Sequence, residues 1–224
     1  MPNLNKNIFV TGGTGYIGSR LIPLLSNNGF NVTALVRKKS MSVSRLNCSI
    51  ITGDALNKNT YESYVAGCDT FIHLIGVSHP GPGKKSEFRK VDLVSIEQAV
   101  QAALNKNVKH FIYLSVAHPA PVMKDFIEVR LKGEELLRKS GMTCSFIRPW
   151  YVLGPGHYWP YLIIPLYKLF ELFPQTKKTA QRLGLVKINQ LLGCLIHSVK
   201  NPPGSIAVYN VSDIRNFNLS DLQT

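Results

Sequence analysis

Acidic residues are scarce in this chain. Thirteen Asp and Glu stand against 26 Lys and Arg, a formal net charge of +13, and no carboxylate precedes Asp54. No paired-carboxylate, H-E-x-x-H or G-x-S-x-G pattern occurs, which removes metal-hydrolase and serine-hydrolase readings. The four cysteines (Cys48, Cys68, Cys144, Cys194) are scattered and form no C-x-x-C pair. That argues against a disulfide framework or a zinc site and for small buried thiols in a reducing, cytoplasmic setting. Long apolar runs are missing as well. The best, 159–173, is broken by Pro160, Pro165, Lys168 and Glu171, so no membrane span is expected. A first strand starting near Asn7 leaves no room for a cleavable leader.

What remains is a globular composition, 45% apolar and 17% charged over 224 residues, enough for one α/β domain. The excess positive charge is spread along the chain, with only short clusters such as Arg37-Lys38-Lys39 and Lys177-Lys178. A basic surface around an anionic cofactor accounts for that spread. A nucleic-acid partner is not expected.

Strand and helix patterns alternate. Apolar runs at 7–11, 31–36, 49–52, 70–75, 109–115, 143–148 and 206–211 read as strands. Between them, 19–28, 86–105 and 126–140 carry apolar residues at helical spacing, and Gly29 is placed to end the first helix. Pro23 inside that helix predicts a local irregularity. The pattern implies a doubly wound parallel Rossmann sheet covered on both faces, with its ligand site at the carboxyl ends of the strands. The whole of 1–224 reads as one NAD(P)-binding domain. After Pro149 the rhythm changes: a loop, apolar helices at 161–173 and 191–199, and the last strand. Residues 150–205 are expected to form a small substrate-side lobe within it.

The most informative stretch is T-G-G-T-G-Y-I-G at 11–18. It follows the first strand and opens the first helix, the context in which G-x-G-x-x-G means dinucleotide binding. The turn must be tight, the backbone must approach the pyrophosphate, and the helix must pack close to the strand. Freed N–H groups at the helix start then meet negative charge. An NAD-selective site usually has an acid about 20 residues further on to hold the ribose. Here the second strand ends instead in Val36-Arg37-Lys38-Lys39, which suits a 2′-phosphate. NADP(H) is therefore preferred, with NAD(H) as the alternative.

These residues, with G-D-A at 53–55, H-L-I-G at 73–76, F-I-Y-L-S at 111–115, K-G-E-E-L-L at 132–137 and R-P-W-Y-V-L-G-P-G at 148–156, give the chain its likeness. It resembles the short-chain dehydrogenase/reductase superfamily, in particular its extended and atypical members: NmrA-like regulators, the accessory-subunit type of respiratory complex I, and NAD-dependent epimerase/dehydratase-like proteins. The resemblance implies that Gly12, Thr14, Gly15, Tyr16 and Ile17 lie on the pyrophosphate. Arg37 and Lys38 would flank the adenosine ribose, and Asp54 and Ala55 the adenine. Leu74, Ile75 and Gly76 would line the middle of the cofactor, Ser115 its nicotinamide, and Pro149 to Tyr151 its carboxamide end.

The catalytic signature departs from that family. Its enzymes carry Y-x-x-x-K on the helix after the serine strand, where the Tyr exchanges a proton with substrate and the Lys lowers the Tyr pKa and grips ribose. The matching stretch is Phe126-Ile127-Glu128-Val129-Arg130, and no tyrosine lies between Tyr113 and Tyr151. Phenylalanine has no proton to give. Arg130 keeps the charge, and a shifted alignment would bring in Lys124 or Lys132. Ser115, Arg130 and Tyr151 are the catalytic candidates, with His118, His157 and Tyr158 as further loop-borne donors; His73 reads as a core histidine.

Residues 159–173 are apolar nearly all round and call for burial in a core, an oligomer interface or a peripheral membrane contact. Two functions follow. One is a cofactor-binding sensor or accessory protein. The other is an NAD(P)H-dependent oxidoreductase acting on a small apolar carbonyl or quinone-like molecule.

Overall fold

The computed structural model describes residues 6–38, 47–77, 83–156 and 182–219. Seven parallel strands form the main sheet: β1 (Asn7–Thr11), β2 (Asn31–Val36), β3 (Ser49–Thr52), β4 (Thr70–His73), β5 (His110–Leu114), β6 (Thr143–Ile147) and β9 (Ile206–Tyr209). Their order is β3-β2-β1-β4-β5-β6-β9, so the chain winds outward from β1 in both directions. A small second sheet pairs β7 (Tyr151–Leu153) with β8 (Leu185–Lys187) in parallel.

Alternation along each strand assigns the two faces. On one face Phe9, Phe71 and Phe111 stand in register across β1, β4 and β5. Their ring centroids are 5.1 and 5.0 Å apart. This aromatic row packs with Ile96, Ala99, Val100 and Ala103 of α3 (Val94–Asn105) and Leu137 of α4 (Lys124–Lys139). Ile8, Val10, Ile72 and Ile112 point to the other face. There they meet Leu21, Ile22 and Leu25 of α1 (Gly18–Asn27) together with Leu191, Leu192 and Leu195 of α5 (Ile188–Lys200). Burial on both faces explains why the strands read as continuous apolar runs.

Helix α1 passes through Pro23 unbroken. The expected irregularity is absent because Pro23 deprives only the Ser19 carbonyl, at the first turn, of its helical donor. The helix ends as Gly29 was expected to end it. Gly29 has φ +80°, its N–H donates to Ser26, and the N–H of Phe30 donates to Leu25, which together make a Schellman motif.

Two boundaries shift where the cavity lies. The fourth strand stops at His73, not at Ile75, because Leu74 turns its N–H onto the Thr11 carbonyl and leads 74–77 away as loop. The long helix begins as α2 (Lys85–Glu87), widens into a π-helix at Phe88–Leu93 and narrows again into α3. The short α6 (Val211–Arg215) follows the last strand, where the sequence reading has more strand. No helix among the described residues is long and apolar enough to cross a membrane. The apolar stretch 159–173, with His157, Tyr158 and Lys39, falls outside the described residues.

Candidate dinucleotide-binding site

The carboxyl ends of β1, β4 and β5 open onto a cavity of about 620 Å³. Its floor is the glycine turn. Gly12 has φ +77°, and a Cβ there would meet the Leu74 carbonyl carbon at 2.9 Å. At Gly18 a Cβ would come within 2.4 Å of the Gly12 oxygen and 2.7 Å of Gly13 Cα. The turn is closed by the Gly15 N–H donating to the Gly12 carbonyl at 3.0 Å. Thr14 and Gly15 stand exposed at its tip. Helix α1 then starts with no side-chain cap and no acid in its first turn, so its leading amides face the opening as partial positive charge. A pyrophosphate fits this cradle.

Of the residues expected in the site, Gly12, Gly15, Tyr16, Ile17, Leu74, Gly76, Ser115, Arg130, Pro149 and Tyr151 line this one cavity. Arg37, Lys38, Asp54 and Ala55 do not. They sit at the adjoining ends of β2 and β3, joined there by the Gly53 N–H donating to the Val36 carbonyl. Arg37 and Lys38 are exposed with no acidic partner among the described residues. Asp54 accepts the Leu56 N–H through Oδ1, an Asx turn that fixes the loop. Ile75 continues the 74–77 loop without lining the cavity.

The wall opposite the glycines is made by β5 and α4. Phe126 lines the cavity on this wall. Arg130, one turn on, is 5% exposed, and its guanidinium is turned into the protein. Nη2 donates to Asp92 Oδ1 at 2.8 Å and Nη1 to the Leu114 carbonyl at 2.9 Å. The other oxygen of Asp92 accepts the Val77 N–H at 2.9 Å. Arg130 also lies over the Phe126 ring, 5.1 Å from its centroid. Both alternative lysines are exposed on α4, and Lys132 pairs with Glu128 at 2.8 Å.

Below Arg130 the polar chain continues. Ser95 donates to the Asp92 carbonyl, so its oxygen accepts from His73 Nε2, and His73 Nδ1 accepts from Thr11 Oγ1 at 2.9 Å. Burial first, then the Arg130 charge, drives the His73 pKa down to about 3. It is the core histidine the sequence suggested.

A second buried acid, Glu134, sits one turn beyond Arg130. Its Oε1 accepts the Ser115 hydroxyl at 2.6 Å and Arg148 Nε at 2.8 Å, while Oε2 takes Arg148 Nη2. His118 is half-buried beside this group; burial first, then the Arg148 charge, lowers its pKa. Tyr151 is half-buried with its phenol pushed up by burial. The remaining lining is apolar: Val77, Leu114, Val116, Met123, Trp150 and Val152. Among the described residues no group of His, Cys, Asp or Glu could hold a metal ion.

Asp92 and Glu134 were not singled out from the sequence, though each left a trace. Asp92 falls on the stripe Phe88, Asp92, Ile96, and Glu134 on the stripe Ile127, Arg130, Glu134, Leu137, all buried. A charge on an apolar stripe needs a buried partner.

This geometry has counterparts in known proteins. Residues 12–156 match the NAD(P)H-binding family. The chain belongs to that family. Among relatives of this NAD(P)H-binding chain is a ceramide reductase of Caulobacter vibrioides, 21% identical over 93% of this chain and 65% of that protein. Another is the 4-hydroxy-2-methyl-3-oxo-4-farnesyl-3,4-dihydroquinoline-1-oxide ketoreductase of Stigmatella aurantiaca, 25% identical over 65% of this chain and 50% of that protein. The chain thus spans 65% and 50% of these relatives' lengths. The fold is shared with Bordetella bronchiseptica WbmH, solved with NAD+, at a TM-score of 0.68, 20% identity, and coverage of 92% of this chain and 75% of that one. It is shared as well with the UDP-glucuronic acid 4-epimerase of Bacillus cereus, solved with NAD, at a TM-score of 0.66, 18% identity, and coverage of 91% and 77%. The expected membership of a nicotinamide-dinucleotide-binding family and the expected parallel Rossmann sheet are therefore borne out.

Proposed function

We propose that this protein binds NADP(H) in the cavity at the ends of β1, β4 and β5 and acts as a cofactor-binding sensor or accessory protein. Phe126 carries this reading. It lines the cavity wall where the family resemblance would put the acid, and Arg130 behind it gives its guanidinium to Asp92 and Leu114. Positioned acid–base groups contribute about 10²–10⁴-fold, so carbonyl reduction by the usual relay is lost. The bound nicotinamide would still supply a transferable hydride. The residues around it bind, orient and exclude water.

Thr14, Gly15, Tyr16 and Ile17 would take the pyrophosphate, and Arg37 with Lys38 the 2′-phosphate. Asp54, Ala55, Leu74, Ile75, Gly76, Pro149 and Tyr151 would complete the cofactor groove. In the expected result, purified protein gains thermal stability with NADPH and consumes none of it across a panel of ketones, aldehydes and quinones. Steady NADPH oxidation with any member would overturn the accessory reading. The double variant Phe126→Tyr with Arg130→Lys should gain slow reduction; no gain would mean that more than the relay is missing.

A second reading has its own support. The apolar lining suits a lipid-like molecule, and two relatives are named for such substrates, a ceramide and a farnesyl-bearing quinoline oxide. As an oxidoreductase the chain would draw its proton from Tyr151. Turnover that Tyr151→Phe abolishes would favour it.

A further inference from the structure

The hydroxyl of Ser115 has a fixed polarity. A carboxylate accepts and does not donate, and both Glu134 oxygens already take N–H groups from the Arg148 fork. The hydrogen in the 2.6 Å contact therefore belongs to Ser115 and points at Glu134 Oε1. Ser115 lines the cavity, and with its hydrogen committed its oxygen has only lone pairs left to offer a further partner. Beside it, Phe126 brings no polar atom at all. A ketone oxygen set against Ser115 and Phe126 would meet an acceptor and find no hydrogen on either.

We infer that the ligand side of this cavity selects an apolar molecule that brings its own hydrogen-bond donor, a hydroxyl or an amide N–H, to Ser115 Oγ, and disfavours the matching ketone. Glu134 is the positioning residue: it sets the direction of the serine hydrogen and touches no ligand. Arg148 holds Glu134 in that state. The inference rests on the cofactor reading above and adds the class of molecule bound beside the cofactor.

Matched probes test it. Protein loaded with NADPH is titrated by calorimetry with 4-tert-butylcyclohexanol and with 4-tert-butylcyclohexanone, which share a skeleton and differ at one oxygen. One neutral hydrogen bond corresponds to roughly a two- to ten-fold difference, so the alcohol should bind tighter by about that factor. In Ser115→Ala the ratio should fall to about one. In Glu134→Gln the amide can donate to the serine oxygen, which frees the serine hydrogen, and the ketone should gain on the alcohol. Should that variant fail to fold, the Ser115→Ala comparison decides alone. The inference is overturned by equal or tighter ketone binding in the wild type, by an alcohol preference that survives Ser115→Ala, or by no binding of either probe. The thermal shift with NADPH in the same samples separates the readings. Its absence removes the cofactor site, whereas its presence with the wrong ratio removes only this inference.

Discussion

At Gly18 a single methyl group would have nowhere to go. All three atoms it would strike, the Gly12 oxygen and the Gly13 Cα and carbonyl carbon, are backbone, so relief requires the turn itself to open. Overpacking of this kind costs about 1–3 kcal/mol, or a fall in Tm of roughly 2–12 °C for a chain of this size. Gly18→Ala should show that fall and lose the NADPH-induced thermal shift. Gly204→Ala is the control, since nothing lies within 4 Å of its Cβ position, and it should leave both quantities unchanged. Cofactor choice is also argued at this scale. Replacing Arg37 and Lys38 together by Ala should weaken NADPH about ten-fold or more in a binding titration, the size of a lost charged hydrogen bond, and leave NADH within about two-fold. Equal loss for both cofactors would refute the 2′-phosphate assignment.

The elements around the cavity are tied by two buried acids. Breaking such a pair from one side strands a charge, which typically costs about 3–5 kcal/mol. Arg130→Met should therefore lower the urea midpoint strongly, because Asp92, 1% exposed, keeps only the Val77 N–H. Combining it with Asp92→Leu should recover a large part of the loss. A double variant as unstable as the single would show that the pair does not act as a unit. These contacts also mark how far the sequence could be read. The glycine turn and the doubly wound parallel sheet were legible because the first is local and the second follows from the alternation of strands and helices. The β7–β8 pairing was not, because three-residue strands leave no periodic trace and their partners lie far apart in the chain. Where the Ser115 hydrogen points was equally hidden, since it depends on Glu134 and Arg148 meeting across α4 and β6.

At the scale of the whole molecule, two buried histidines among the described residues set an acid limit. The pKa of His73 lies at about 3 and that of His110 at about 4, both lowered from 6.5, chiefly by burial. Above 6.5 both are neutral in folded and unfolded chains alike, and they do not affect the balance. Below it the unfolded chain takes up protons that the folded one refuses. Stability therefore falls as pH drops from about 6.5, towards 4 for His110 and towards 3 for His73, at up to roughly 1.4 kcal/mol per pH unit for each. Denaturant titrations across this window should record the slope; a flat profile from pH 6.5 to 4.5 would contradict it.

The Cβ place of Gly76 is filled by Nη2 of Arg130, which would lie 2.1 Å from it. Glycine and arginine are thus parts of one solid. A lysine at 130 would vacate that space and leave Asp92 short of a partner, and a larger residue at 76 would evict the guanidinium. The residue at 76 and the residue at 130 are therefore coupled, and the choice made at one position limits the choice at the other.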